Sequence, residues 1–336
     1  KINFERLKGV NLMNQIKNLS LIGICMAFVV IALGAWTRLV DAGLGCPDWP
    51  GCYGFVFWPN DEVEIAIAES RFPTYPYDIN KAIPEQVHRL FAAALGFIAI
   101  LLVFLSFEKT NNKSIQRWTI FLLILICCQG LFGYLTVSLK LLPIIVTTHL
   151  FGGFATLMLL YFIYLKSRNF EIFNQINISN LKVIASIAFG VLIFQIFLGV
   201  WTSTNYASLA CADFPTCQGS YMPEMDFKNG FNLNQEVGPN YLYGLLDNPA
   251  RVAIHYSHRV SALLLTLIFL ILMSRLWFSD AAPLASTLGI LLLTQITLGI
   301  INVVYVLPLY VAIAHNLVAA LLLLATFTIN YLAWKK

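Results

Sequence analysis

The chain has 336 residues, 59% of them hydrophobic and only 11% charged, with a formal net charge of +4. Soluble domains carry about 25% charged residues, so this composition excludes an ordinary water-soluble enzyme and gives no basis for a nucleic-acid partner. Repeated apolar spans of about 20 residues account for it instead, with membrane lipid around them.

Residues 1–20 are mildly basic and lead into an apolar run at 19–39. That run exceeds the ~7–15-residue core of a signal peptide, and no small-residue cleavage site follows. A retained first helix is expected. Nothing resembles an Arg-rich, Ser-rich transit peptide, so the expected home is a bacterial inner membrane. Further apolar runs follow at 84–107, 117–139, 143–166, 182–204, 249–274, 283–306 and 308–334. In lipid every backbone polar group must be satisfied within the span, so these runs predict helices. The fold class expected is an all-α membrane protein with eight transmembrane helices and two long connections, 40–83 and 205–248. Lys17, Lys109, Lys113, Lys166, Lys182 and Arg275 fall on one side of this topology, as do the terminal Lys1, Arg6, Lys8, Lys335 and Lys336. The opposite loops hold fewer basic residues and many acids, among them Asp48, Asp61, Glu62, Asp213 and Glu224. By the positive-inside rule both termini are cytoplasmic and the two long loops lie outside.

The halves repeat each other. Gly34-Ala35-Trp36-Thr37 is echoed by Gly199-Val200-Trp201-Thr202, and the Cys46 to Cys52 loop by Cys211 to Cys217. Gln129 to Gly133 is echoed by Gln295 to Gly299, His88-Arg89 by His258-Arg259, and His149 by His315. The expected organisation is a cytoplasmic segment 1–18, a four-helix half 19–166, a cytoplasmic linker 167–181 and a second four-helix half 182–336. With an even number of spans each, the repeats share one topology and relate by an axis along the membrane normal.

All five histidines lie near the outer ends of predicted spans. His88 follows Pro84, His149 follows Pro143, His255 and His258 follow Pro249, and His315 follows Pro308, which puts matched histidines at similar depth. Ionisable residues within a span are costly and functional by default; the alternative is a packing histidine bonded to a neighbouring helix. Two facing imidazoles per half suit a haem iron, whose axial positions lie on opposite faces of a flat apolar macrocycle. Zinc or copper requires three or four gathered ligands, and no cysteine or acid cluster completes such a set. Arg89 and Arg259, each following a histidine, are candidates to pair with haem propionates, or else snorkel to lipid headgroups.

A helix ending Gly34 to Arg38, a Leu-Gly-Cys-Pro-Asp-Trp-Pro-Gly-Cys loop from Leu44 to Cys52, and Glu85-Gln86-Val87-His88-Arg89 together resemble the haem A synthase family. With His149, His258-Arg259 and His315, the resemblance covers essentially all eight predicted helices. It implies a membrane haem-dependent oxidoreductase that oxidises a methyl group of haem O to the formyl group of haem A for cytochrome oxidase assembly. It implies haem O as substrate in the N-terminal half, on His88 and His149, and haem b as cofactor in the C-terminal half, on His258 and His315. Haem O synthase and terminal-oxidase assembly factors are the partners it implies, and a homo-oligomer is left open.

Glu85 lies three residues before His88 and shares its helix face. The repeat has His255 in that place, so the halves are chemically unequal. Glu85 reads as a catalytic general base or as electrostatic support for a cation at the oxidised carbon; the alternative is a carboxylate at the helix N-terminus, favoured by the dipole beside Pro84. His255 is an alternative ligand, a propionate partner or a plain polar contact. Cys46/Cys52 and Cys211/Cys217 face an oxidising compartment, where disulfides within each pair are expected, with electron-relaying thiols as the alternative. Cys25, Cys127 and Cys128 lie in spans as packing residues. The Gln-x-x-x-Gly copies at Gln129, Gln195 and Gln295 read as close helix packing. The rival function is a bis-histidine di-haem b-type carrier of quinol electrons that leaves haem unmodified. A transporter would show helices broken at mid-span, whereas the prolines here fall at span ends.

Overall fold

The computed structural model describes residues 2–109, 112–168 and 177–335, and the side chains of 13–108, 112–168 and 177–335. Of the expected linker 167–181, positions 169–176 lie outside the described residues, as do Lys1 and Lys336 of the terminal basic groups. The main helices are α1 (Ile2–Leu39), α2 (Glu62–Arg71), α3 (Ile79–Lys109), α4 (Lys113–Ser138), α5 (Pro143–Ser167), α6 (Lys182–Thr204), α7 (Phe227–Gly230), α8 (Asn248–Trp277), α9 (Ala282–Val304) and α10 (Leu309–Trp334). All but α2 and α7 are long and apolar enough to cross a membrane, which gives eight candidate spans among the described residues. Large apolar side chains stand exposed along them, such as Phe97 at 60% and Leu263 and Leu293 at 68%. Water would penalise such faces and lipid does not. The protein is a multi-pass, all-helical membrane protein.

Helix ends follow local chemistry. The Asn112 side chain accepts from the N–H groups of Ser114 and Ile115 and starts α4. Proline occupies the first positions of α5, α8 and α9, where its missing N–H costs nothing. α1 runs unbroken from Ile2, so the basic stretch expected at 1–18 is largely helix continuous with the first span. α3 also starts earlier than its apolar run: the Asp78 carboxylate accepts from Asn80 N at 2.9 Å and caps a polar first turn ahead of Pro84.

The chain divides into two compact units, Lys1–Phe170 and Glu171–Lys336. In the first, α1 and α4 each pack against both α3 and α5, closing a four-helix bundle with α3 and α5 on the diagonal. In the second, α6 and α9 each pack against both α8 and α10 in the same pattern. The short turns of the two bundles match down to the backbone. Lys140-Leu141 and Val306-Leu307 are left-handed pairs, a conformation that disfavours bulky L-residues. Leu141 N donates to Thr136 O at 2.8 Å and Leu307 N to Asn302 O at 2.7 Å, which satisfies the helix-end carbonyls and holds both turns.

Each long loop folds over one end of its bundle and is closed by a disulfide, Cys46–Cys52 or Cys211–Cys217. In the first loop the disulfide, Tyr53, Ala68 and Ala82 form a small buried core beside Phe72 and Tyr77. Burial, with Tyr77 and nearby acids, pushes the Tyr53 phenol up to about 12; its hydroxyl donates to Pro76 O at 3.1 Å. In the second loop α7 is pinned by the fully buried Trp201, whose Nε1 donates to Gly230 O at 2.8 Å. Trp201→Phe retains most of the apolar contact but leaves that carbonyl unpaired, which costs about 1–3 kcal/mol. Limited proteolysis in detergent is expected to cut the variant faster near residues 227–230 while the spans stay protected.

Candidate functional site

The diagonal helices carry the histidines. His88 (α3) and His149 (α5) meet inside the first bundle with ring centroids 6.4 Å apart and planes at 88°. His258 (α8) and His315 (α10) occupy the corresponding helices of the second bundle. Each ring rests against a glycine on a neighbouring helix. A Cβ on Gly34 would come within 3.0 Å of His88 Cε1, one on Gly133 within 3.5 Å of His149, one on Gly199 within 3.0 Å of His258, and one on Gly299 within 3.3 Å of His315. The glycines of the Gln-x-x-x-Gly copies therefore serve the histidines, beyond the helix packing expected for them. The glutamines also reach the rings in the second bundle: Gln195 Nε2 stands 3.1 Å from His258 Nδ1, and Gln295 Nε2 3.1 Å from His315 Nε2.

The Nδ1 atoms of His88, His149 and His315 are buried without a hydrogen-bond partner. Buried polar atoms left unpaired in this way mark a functional site. No group of three or more His, Cys, Asp or Glu suited to a metal ion occurs among the described residues. Two donors suit a metal that brings its own in-plane ligands, so the residues present fit a haem and fall short of the three or four donors of a zinc site.

Above the histidines, each arginine grips the disulfide loop. Arg89 Nη1 donates to Asp48 O at 2.8 Å and Gly51 O at 2.6 Å; Arg259 Nη1 donates to the matching carbonyls, Asp213 O and Thr216 O, both at 2.9 Å. Glu85 is 5% exposed. Its Oε1 pairs with Arg89 Nη2 at 2.6 Å and its Oε2 accepts from Cys46 N at 2.9 Å. The helix-terminus reading of Glu85 fails here, because α3 begins at Ile79 and the carboxylate has moved past the first turn into the loop contact. His255, 4% exposed, takes the same place in the repeat, with Arg259 Nε 3.2 Å from its Nε2 and Cys211 N 3.4 Å from its Nδ1. It is the polar counterpart of Glu85.

Gly45 has no room for a side chain, since a Cβ would lie 2.4 Å from Lys81 O. Trp49 ties the first loop to α4 by an edge contact with Tyr134 at 6.1 Å. The loop aspartates close each turn: Asp48 accepts from the N–H groups of Tyr53 at 2.6 Å and Gly54 at 2.8 Å, and Asp213 from Gln218 at 2.6 Å and Gly219 at 3.0 Å. Cys25, Cys127 and Cys128 are free thiols on the outer faces of their helices.

Two histidine-bearing four-helix bundles under disulfide-closed loops define a class: multi-pass membrane proteins equipped for a metal that carries in-plane donors. Within that class, the chain belongs to the family described as "Cytochrome oxidase assembly protein", whose family model matches residues 17–327. It is 42% identical over 317 residues to the haem A synthase of Shewanella oneidensis, covering 94% of this chain and 96% of that protein. It is 29% identical to the haem A synthase of Rickettsia prowazekii over 92% of this chain and 95% of that protein, and 29% to that of Rickettsia felis over 89% and 92%.

The hydrogen bonds from the Thr216 hydroxyl and from Gly219 and Gln218 hold the Asp213 carboxyl at about 2. An unfolded aspartate titrates near 3.9, so this contribution is complete above about pH 4 and is lost as pH falls through about 2. Amide exchange is expected to keep Gln218 and Gly219 protected down to about pH 3, and Asp213→Asn to expose them already at neutral pH.

Proposed function

We propose that the chain acts as a haem A synthase, an oxidoreductase that converts a methyl group of haem O to the formyl group of haem A. The observation that carries this reading is the inequality between otherwise matched sites: a buried carboxylate, Glu85, lies three residues before His88, where the other half has His255. In the proposal His88 and His149 hold the substrate haem, while His258 and His315 hold haem b. Haem b supplies one-electron chemistry. The long loops lie on the outer side of the bacterial inner membrane and both termini are cytoplasmic.

Conversion of methyl to formyl removes electrons and protons from one carbon and leaves it transiently electron-poor. The Glu85 carboxylate offers negative charge to that carbon's surroundings and is a proton acceptor within the same loop contact. Arg89 keeps Glu85 aimed and partly neutralised, and the Cys46 N–H fixes its second oxygen. The first loop, tied down by Arg89, Trp49 and the disulfide, excludes water from this end of the bundle. Arg89 and Arg259 also remain the candidates for the haem propionates, through guanidinium N–H groups not engaged by the loops. The disulfides serve as structural clamps in this reading, and haem O synthase and oxidase assembly factors are the partners.

Purified protein is expected to show a low-spin bis-histidine b-type spectrum that His258→Ala or His315→Ala largely removes; unchanged spectrum and haem content in both would reassign the cofactor site. Glu85→Gln keeps size and hydrogen bonding, so it is expected to retain bound haem while haem A formation drops about 10²–10³-fold. Chromatography of haems extracted from cells expressing the variant at wild-type level reads this directly. Haem O or a hydroxylated intermediate is expected to accumulate. Normal haem A would remove Glu85 from the chemistry, and no haem A even from the wild type would favour the di-haem electron carrier.

A further inference from the structure

The four imidazoles are alike in seating and unlike in polar support. On α6, Gln195 stands one turn before Gly199, and its amide Nε2 lies 3.1 Å from both His258 Nδ1 and the His258 carbonyl oxygen. Counting back from Gly34, the matching residue on α1 is Val30, whose side chain has no polar atom and whose backbone carbonyl is the only group it turns to the His88 ring. No side chain partners His88 Nδ1, which is buried. The second pair of sites diverges too. Gln295 Nε2 reaches His315 Nε2 at 3.1 Å, although His315 Nδ1, like that of His149, is buried without a partner. Its equivalent Gln129 turns its side chain into the gap at Gly152, where an added Cβ would fall 1.9 Å from Gln129 Nε2, and His149 Nδ1 is left buried and unpartnered. Three residues after its own histidine, the second bundle has Val318 instead of a glycine, so that gap is not repeated.

This difference bears on metal binding. An imidazole that ligates through Nε2 must carry its proton on Nδ1, and a hydrogen-bond acceptor there fixes the tautomer, locks the ring and raises its basicity. Gln195 is placed to do this. Its Oε1 is buried without a partner as placed; with a metal on Nε2 the ring proton sits on Nδ1, and the amide has to give up its donation to the His258 carbonyl and turn so that Oε1 accepts that proton. Removing such a partner typically costs about 10–100-fold in metal affinity.

We propose that Gln195 is a positioning residue that fixes the ring and proton of His258, and that the Val30 in its place beside His88 makes the N-terminal pair the one that releases its haem. The proposal rests on haem b occupying the second bundle and the substrate the first, and it adds a physical reason for that division. A cofactor site must hold its haem through many turnovers. A substrate site has to let go of its product, and a His88 ring with no side-chain amide beside it binds less tightly.

The test uses the full-length protein purified in detergent, with apomyoglobin as haem acceptor and redox titration of the b-type species. Gln195→Leu is expected to lose haem b to apomyoglobin about 10–100-fold faster than wild type, with a raised midpoint potential and altered low-spin g-values. Gln195→Glu offers a stronger acceptor and is expected to retain haem b and lower the potential. Val30→Gln is expected to slow haem release from the first bundle. Wild-type potentials and release rates in both Gln195 variants would overturn the proposal, as would unchanged release from Val30→Gln. If Gln195→Leu fails to fold, the other two variants decide the matter. His258→Ala separates the two levels: if it abolishes the b-type spectrum while the Gln195 variants behave as wild type, only the role of Gln195 falls. If it leaves spectrum and haem content unchanged, the assignment of the cofactor site falls.

Discussion

An imidazole ring can lie between packed helices only where the facing helix has no side chain at that level. Interaxial distances of about 8–10 Å leave no space for both. Gly34, Gly133, Gly199 and Gly299 supply that condition four times, each on a helix that carries no histidine itself. Glycine within a helix costs about 1 kcal/mol relative to alanine, and lipid supplies no hydrophobic drive to offset it. What offsets it is close backbone approach, the means by which helices associate in membranes. The same four residues therefore bring the helices together and shape the space the histidines occupy.

The loops depend on the histidine-bearing helices in turn. Arg89 and Arg259 each follow a histidine by one residue; Arg89 reaches up to two carbonyls of its disulfide-closed turn and Arg259 to three. A guanidinium is well suited to this, because its planar fork can satisfy several acceptors at once and it stays charged. Loop and ring are thus joined by one turn of helix. A displacement of either loop moves the helical turn on which the imidazole sits, and the disulfide limits how far the loop can go.

Much of this was legible in the sequence because it depends on spacing along the chain. The spans, the paired histidines, the matched cysteines and the unequal residues Glu85 and His255 all show as periodicity or repetition. The start of α3 did not, because a polar turn capped by Asp78 precedes the apolar run, and that left a helix-end alternative open for Glu85. The arginine clasps were hidden for a different reason: their acceptors are main-chain carbonyls some forty residues away, and a carbonyl has no side-chain signature. His255 was an open question for the same reason, since its role depends on a contact with Cys211 across the loop. The Gln-x-x-x-Gly copies were visible as a pattern, but their purpose required knowing what stood opposite each glycine.

The repeat also limits what divergence can do. Both bundles need the histidines, the facing glycines, the arginine grip and the disulfide, so these positions leave little freedom without loss of the site itself. The freedom lies one contact further out, where Val30 corresponds to Gln195, Glu85 to His255 and Gly152 to Val318 in the repeat. In the second bundle the exchanges add an amide beside His258 and put an imidazole beside Arg259. In the first they remove that support and place a carboxylate beside Arg89 instead. Polar partners that lock a ring favour keeping a ligand in place, whereas a buried carboxylate beside an unsupported ring favours chemistry on a ligand that must leave. In the proposed assignment two functions follow from one backbone, with the paired imidazoles common to both bundles and the difference residing in what surrounds them.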